Sequence, residues 1–368
     1  MQPLAQGIYT ADQVKAVLHS ASREIRFRYD LLDGTNVFKR TLTNVLSGHV
    51  ENNTFADIKR TAKFTLQDDG AINFLSDRIQ PFALLKMPDG NFVSWALGVF
   101  MLSSPKRKSD TTGHVIRDVD AYDLLQVLKD DKVTDRYTVP AGANYIAALK
   151  TLLDGAGLTS QNLTACASVL PVSLDWPPGT AKLQIANDLL STINYKSLTI
   201  YEVGQAVAQP YVLPSARAGD YTYVDDSLSV TFPEVEQSLD LFGVPNKWVL
   251  VVSEADQATL TSAYTNSNPA SPTSTVNRGR TIVNFGTETG VDQPTLDAKV
   301  QRLAFEASQV YEEVALETAI MPMHSDNDMI TLTFSALGIS ANYSESSWAF
   351  DLQAGAKMKH IVRKVVTI

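Results

Sequence analysis

DQPTLDAKVQRLAFEASQVYEEVALETAIMPMHSDNDMITLTF, residues 292–334, decides the fold class, because its apolar period changes once along its length. Pro294 suits a first helical turn, where its missing N–H costs nothing, and Asp292 or Gln293 stands where a cap belongs. Leu296, Val300, Leu303, Ala304, Ala307 and Val310 recur at spacings of three and four. That predicts a helix with one apolar stripe and with Asp297, Lys299, Arg302 and Glu306 toward water. From Glu312 the period is two, so Glu312, Val314, Leu316 and Thr318 share one face of a strand and Glu313, Ala315, Glu317 and Ala319 the other. Met321-Pro322 ends that strand, Ser325-Asp326-Asn327-Asp328 makes a polar turn, and Ile330, Leu332 and Phe334 begin the next strand. Helix, strand, turn and strand form an α+β unit, and nothing in it is evidently catalytic.

The chain has 368 residues, more than one hydrophobic core usually supports, so two or three domains are expected. Forty acidic against 31 basic residues give a net charge of −9, which disfavours general affinity for nucleic acid or for an anionic membrane. Cys166 is the single cysteine, so no internal disulfide forms, and it reads as a small buried hydrophobe. The N-terminus lacks a signal-peptide pattern, and the longest apolar run, near Trp95–Leu102, is far below the roughly 18 residues of a membrane span.

Upstream, Thr10 and Gln13 have capping-box spacing before a short helix with Val14, Val17 and Leu18 on its apolar side. Ile25, Phe27, Tyr29 and Leu31 alternate in a strand, and Asp33-Gly34 turns the chain toward Val37–Leu42. Further strands are expected at Val45–Val50, Arg60–Leu66, Arg78–Met87, Asn91–Leu102 and Val115–Val119, followed by a helix capped by Asp120. These first 120 residues read as an antiparallel barrel or sandwich. Pro140-x-Gly142 and Pro177-x-Gly179 then introduce two helices at a shift of 37 residues, with Leu152-Leu153 matching Leu189-Leu190. An irregular connection is expected over 209–226, the last domain opening with Ser227–Phe232, an apolar strand over Val249–Val252, and a soft surface excursion over Ser253–Thr275. Domain divisions at 1–135, 136–226 and 227–368 follow.

Candidate sites are few. His324-x-Asp326-x-Asp328 has metal-like composition but equally suits a polar hairpin turn, which is the reading taken, with no metal assigned. His114, Asp118 and Asp120 alternate on one strand face. Asp68-Asp69, Asp130-Asp131, Asp225-Asp226 and Glu312-Glu313 are neighbours in sequence, which solvated faces explain. No Walker A loop, G-x-G-x-x-G turn, G-x-S-x-G elbow, H-E-x-x-H helix or C-x-x-C pair occurs, so no catalytic residue and no cofactor is assigned. Lys106-Arg107-Lys108 is a basic tip on an acidic protein and the one candidate contact surface. Trp95, Trp176, Trp248 and Trp348 are expected as core anchors.

Three stretches carry a resemblance. They are Ser94-Trp95-Ala96-Leu97-Gly98-Val99-Phe100 with the later Arg117-Asp118-Val119-Asp120-Ala121-Tyr122-Asp123-Leu124; the helix begun by Pro140; and Pro245-Asn246-Lys247-Trp248 through Gly279-Arg280 and Pro294 to Met321-Pro322-Met323-His324. In this order the chain resembles the tail-tip hub or minor tail proteins of long-tailed bacteriophages and the related baseplate hub of contractile tails. The resemblance implies an α+β, β-rich chain with two tube-like antiparallel β-barrel domains and smaller α+β domains between them. It implies a homotrimeric, pseudo-hexameric ring in the virion, at the tail tip, made in the host cytoplasm. Its partners would be tail-tube and distal tail proteins, the tape-measure protein and tail fibre or tip proteins, with DNA passing through the lumen without specific binding. Lys106, Arg107 and Lys108 would then touch a neighbouring ring or subunit. No enzymatic activity is implied. The alternatives are a carbohydrate-binding tail module using the 253–275 loop and, behind it, a cell-wall hydrolase.

Overall fold

The computed structural model describes residues 1–368 apart from 104, 110, 112, 241, 253–258, 290, 291, 310 and 367. The chain opens with α1 (Ala11–Leu18), where Thr10 and Gln13 form the expected capping box, Gln13 N–H donating to Thr10 Oγ1 and Thr10 N–H to Gln13 Oε1. Strands β1 (Ile25–Leu32) and β2 (Phe38–Leu42) follow as a hairpin whose turn is held by Asp33, with Oδ1 accepting from Thr35 and Val37 N–H. Then come β3 (Val45–Asn53), β4 (Arg60–Gln67), β5 (Arg78–Lys86), β6 (Phe92–Ala96), β7 (Phe100–Leu102), β8 (Lys106–Ser109), β9 (Val115–Tyr122) and α2 (Leu125–Asp130).

Two expectations fail here for local reasons. The single strand over Asn91–Leu102 is broken by Leu97–Val99, because Gly98 sits at φ 140° with Arg60 and the Phe100 ring against it; an added Cβ would lie 2.6 Å from Phe100 and 2.9 Å from Arg60. The Asp120 cap is also wrong. β9 runs on to Tyr122, and it is Asp123 whose carboxylate accepts from the N–H groups of Leu125 and Arg60 at 2.9 Å.

The middle of the chain consists of β10 (Tyr137–Val139), α3 (Tyr145–Gly155), β11 (Gln161–Leu163), β12 (Leu174–Trp176), α4 (Lys182–Thr192), β13 (Thr199–Ile200) and β14 (Ala206–Ala208). The Pro-x-Gly match has a structural counterpart. β10 and β12 pair antiparallel, each runs into its Pro-x-Gly turn, and the two helices that follow pack on each other over a shared core that includes Leu149, Leu153, Leu189 and Leu190. Cys166 is half-buried rather than enclosed.

Tyr221–Val224, inside the expected irregular connection, is β15. No strand forms at Ser227–Phe232, where Thr231 makes only an isolated bridge to Thr318; the strand is β16 (Glu236–Leu239). β17 (Lys247–Val252) is followed by β18 (Leu260–Thr265), so the soft excursion is overturned in its described part, while 253–258 lie outside the described residues. Leu260 and Tyr264 pack against the core around Trp248, and Asn266, Ser271 and Thr273 bond one another inside the turn that leads to α5 (Thr275–Arg278). β19 (Val283–Glu288) lies parallel to β17.

The helix of the opening stretch is α6 (Gln293–Gln309), capped by Asp292, whose Oδ1 accepts from Thr295 N–H at 2.9 Å. Its stripe of Leu296, Val300 and Ala304 packs on Trp248, Leu250 and Val252. Lys299 departs from the expectation: it is buried and paired with Glu288. β20 (Glu312–Ala319), β21 (Met329–Phe334), β22 (Ile339–Asp351) and β23 (Lys357–Lys364) complete the chain, and the face of β20 carrying Glu312, Val314, Leu316 and Thr318 is the buried one, as the alternation requires.

The protein is α+β and β-rich. One long sheet runs in the order β16-β20-β23-β22-β3-β4-β9-β7-β5-β1-β2, so strands from both ends of the chain are joined where β22 pairs β3, Trp348 opposite Asn52. Its core takes Leu31, Phe64 and Phe100 from the first part together with Tyr343, Trp348 and Val362 from the last. All four tryptophans are buried, as expected. The described strands do not close into a barrel; β2 and β16 are left as edges. No helix among the described residues is long and apolar enough to cross a membrane.

Candidate functional site

Lys106, Arg107 and Lys108 form β8, a fully exposed strand at the rim of the sheet, opposite Asp118, Arg117 and Ile116 of β9. Lys108 Nζ reaches Asp118 Oδ2 at 2.6 Å, which with Thr65 holds that carboxylate below its usual range. An exposed pair of this kind contributes little to stability. The other sequence candidates do not converge. Asp118 is engaged by Lys108 and Thr65, Asp120 faces Lys63 at 3.9 Å, and His114 is exposed. The adjacent carboxylates are split among separate cations: Asp68 to Arg117, Asp69 to Arg40, Glu312 to Lys364 and Glu313 to Arg363.

The densest polar site lies instead inside the sheet. His324 and Asp328 flank the turn between β20 and β21, Asn327 taking the left-handed conformation with φ 57° that closes it. β22 adds Glu345 and β23 adds His360, and all four side chains are buried. His324 Nδ1 is 2.8 Å from Glu345 Oε2 and 3.2 Å from Asp328 Oδ2, while its Nε2 meets Tyr223 Oη at 2.6 Å. His360 Nδ1 is 2.5 Å from Glu345 Oε1, and its Nε2 is 2.9 Å from Thr318 Oγ1. The Met1 amine is 2.5 Å from Asp328 Oδ1. Burial alone would push the His324 proton off, but Glu345 and Asp328 outweigh it and hold the imidazole pKa up at about 10. Burial likewise opposes ionisation of Asp328, yet His324 and the amine keep it down at about 2. Burial lowers His360, with Glu345 opposing.

His324, Glu345 and His360 bring one ligand atom each within 4.8 Å of one another, close enough for a cation. The cluster also balances its own charges. With His324 protonated, as Glu345 and Asp328 favour, that histidine and the Met1 amine balance Asp328 and Glu345, and a divalent ion would have to take the place of the His324 proton. Asp326, the middle residue of the sequence motif, turns away to accept from Thr54 Oγ1 at 2.8 Å. The cluster is therefore an ionic core that fastens β21, β22 and β23 to the start of the chain. Sequence reading found His324 and Asp328 but missed Glu345 and His360; the available signal was a charged residue at an inward position of each strand.

A second buried group ties the sheet to the middle of the chain. Arg60 Nη2 is 2.9 Å from Glu202 Oε1, which also accepts from Ser325 Oγ at 2.5 Å, and the guanidinium lies 5.6 Å from the Trp348 ring. Nearby Asp123 is pushed up to about 6 by burial, its two backbone hydrogen bonds only partly offsetting it. These groups tie the middle of the chain to the sheet, and none of them is arranged as a nucleophile with its base.

No family model matches the sequence, and no curated protein does. Among solved structures, the tail protein from Neisseria meningitidis is similar over 92% of this chain and 97% of its own length, at 12% identity and a TM-score of 0.65. The 43 kDa tail protein of prophage MuSo2 from Shewanella oneidensis is similar over 91% and 98%, at 10% identity and a TM-score of 0.59. A component of the E. coli type VI secretion system, described as structurally similar to the T4 bacteriophage tail proteins gp27 and gp5, covers 91% of this chain and 77% of its own at 9% identity and a TM-score of 0.51. At these identities the likeness is one of fold. The fold is that of phage tail proteins, which meets the resemblance read from the sequence.

Proposed function

We propose that the chain is a structural, non-enzymatic hub protein of a bacteriophage tail tip or baseplate, three copies of which form a pseudo-hexameric ring that continues the tail tube. The observation that carries this reading is the end-to-end likeness to phage tail proteins, over more than nine-tenths of this chain and of the first two relatives. The sheet supports it. Its path ends on β2 and β16, each paired on one side only among the described residues. Head-to-tail contact between copies is the kind that closes rings, and pairing there would cover edges that otherwise invite aggregation.

In this reading, residues 1–135 and 227–368 supply the two tube-like portions and 136–226 the smaller unit between them, barrels arising only when copies join. Tail-tube and distal tail proteins, the tape-measure protein and tail fibre or tip proteins are the partners, and the virion is the location. DNA crosses the lumen unbound, which the net charge of −9 favours because fixed cations would hold phosphates. Lys106, Arg107 and Lys108 meet a neighbouring ring or subunit. Electron microscopy of assembled tails is expected to show three copies per ring; two or six would overturn the reading. Replacing the three basic residues by Ser is expected to reduce tail assembly while leaving DNA ejection unchanged in tails that do form.

A further inference from the structure

Where the sheet, the Lys196 segment and α6 meet there is a cavity of about 140 Å³, whose lining includes Lys59, Lys196, Tyr211, Arg302, Gln309 and Asp326. Most of its charged groups are spoken for. Lys59 Nζ donates to Thr54 O at 2.5 Å, Asp326 accepts from Thr54, and Arg302 donates to Glu306 at 2.9 Å and to Tyr195 O at 2.7 Å. Arg302 also lies 4.3 Å from the Tyr211 ring and fixes its position.

Three donors from the cavity lining are left over. Gln309 is 5% exposed, and neither its Nε2 nor the buried Tyr211 hydroxyl has a hydrogen-bond partner among the described residues. The half-buried Lys196 ammonium forms no ion pair among those residues, although the Asp326 and Asp220 carboxylates act on it from farther off. Burial lowers its affinity for the proton, with Arg217 and Arg302 adding to that and Asp326 and Asp220 opposing it. Buried polar groups are almost always satisfied, so one orphan donor is unremarkable, but an amide, a hydroxyl and an ammonium sharing one cavity lack a common acceptor. The space would hold about four or five waters at roughly 30 Å³ each, yet water does not neutralise the ammonium.

We propose that this cavity binds a small oxyanion, which accepts from Lys196 Nζ, Tyr211 Oη and Gln309 Nε2 and clamps α6 and the Lys196 segment to the sheet. The inference is independent of the hub reading, since it rests on the unpaired donors alone. Inorganic phosphate is the probe, with acetate to distinguish a carboxylate, titrated into the full chain against chloride at matched ionic strength and followed by thermal unfolding and calorimetry. Phosphate or acetate is expected to raise the unfolding temperature in a saturable way. Lys196→Met is expected to weaken binding about tenfold or more, as for a lost charge-assisted hydrogen bond. Tyr211→Phe keeps the ring under Arg302, removes one donor and is expected to weaken binding by a smaller factor, so the test survives if the lysine variant folds poorly. Replacing Lys106, Arg107 and Lys108 by Ser, which removes exposed cations only, is expected to leave binding unchanged. No saturable shift relative to chloride, or a shift equal in the wild type and both cavity variants, would mean that the site holds water only and would overturn the proposal.

Discussion

Two polar interiors share the turn at His324–Asp328, and they are built in opposite ways. On one side His324 and Asp328 join Glu345, His360 and the Met1 amine, and each charge faces its opposite at 2.5–3.2 Å. On the other side Asp326 and Asn327 line the cavity in which Lys196, though within the field of Asp326, makes no ion pair among the described residues. Burying charge is tolerated only when it is compensated. The first interior achieves that internally, so it is a fastening. The second leaves the compensation to something outside the chain.

The sharpest way to break this contrast is His324→Ala, which strands Asp328 and Glu345 in the core. It is expected to cost about 3–5 kcal/mol, read from the urea midpoint at constant slope. A loss under about 1 kcal/mol would mean that His324 is uncharged in the fold.

A pH series tests the same charge without mutation. Because the His324 pKa rises from 6.5 unfolded to about 10 folded, its contribution is complete below pH 6.5 and drains as pH rises through 10. The expected slope is up to about 1.4 kcal/mol per pH unit over that window, and it should be absent from the alanine variant. Asp328 has the opposite sign: its pKa falls from 3.8 to about 2, so its contribution is present above 3.8 and is lost as pH drops toward 2.

Gly98→Ala perturbs Arg60, the partner of Glu202, by placing a methyl 2.9 Å from its Cδ at a backbone angle suited to glycine. A loss of about 1–3 kcal/mol is expected in thermal unfolding. The smallest effect belongs to Lys196→Met in anion-free buffer. Removing an uncompensated ammonium is expected to change stability by less than about 0.5 kcal/mol, or to raise it. A large loss there would place Lys196 among the fastenings.

What the sequence discloses divides along the distance over which each feature is specified. The α6 stripe from Leu296 to Ala307 (Val310 lies outside the described residues), the alternation of β20, the Thr10–Gln13 box and the two Pro-x-Gly turns are set by neighbours a few residues away, and each is found as read. Leu260–Thr265 reads as a loop because Ser262 and Thr261 are polar, but Ser262 Oγ donates to Asp297 on α6, a partner no local pattern announces. Lys299 reads as solvated for the same reason; Glu288 on β19 receives it. At the ionic core, two members stand four residues apart and suggest themselves, whereas Glu345 and His360 are delivered by strand register.

The pairing of β3 with β22 also sets a schedule for synthesis. Asn53 lies opposite Ser347, so the strand that covers β3 is translated roughly 300 residues after it. At about 5–20 residues per second the wait is roughly 15–60 s. Through that interval the nascent chain can build the β3–β4 hairpin and, once β5–β8 are made, add β9 beside β4, but the outer rim of β3 has no neighbour within its own polypeptide. A ribosome-bound intermediate with an open rim is a substrate for chaperones and a hazard when many copies are made at once, because each rim matches the late strand of any finished neighbour.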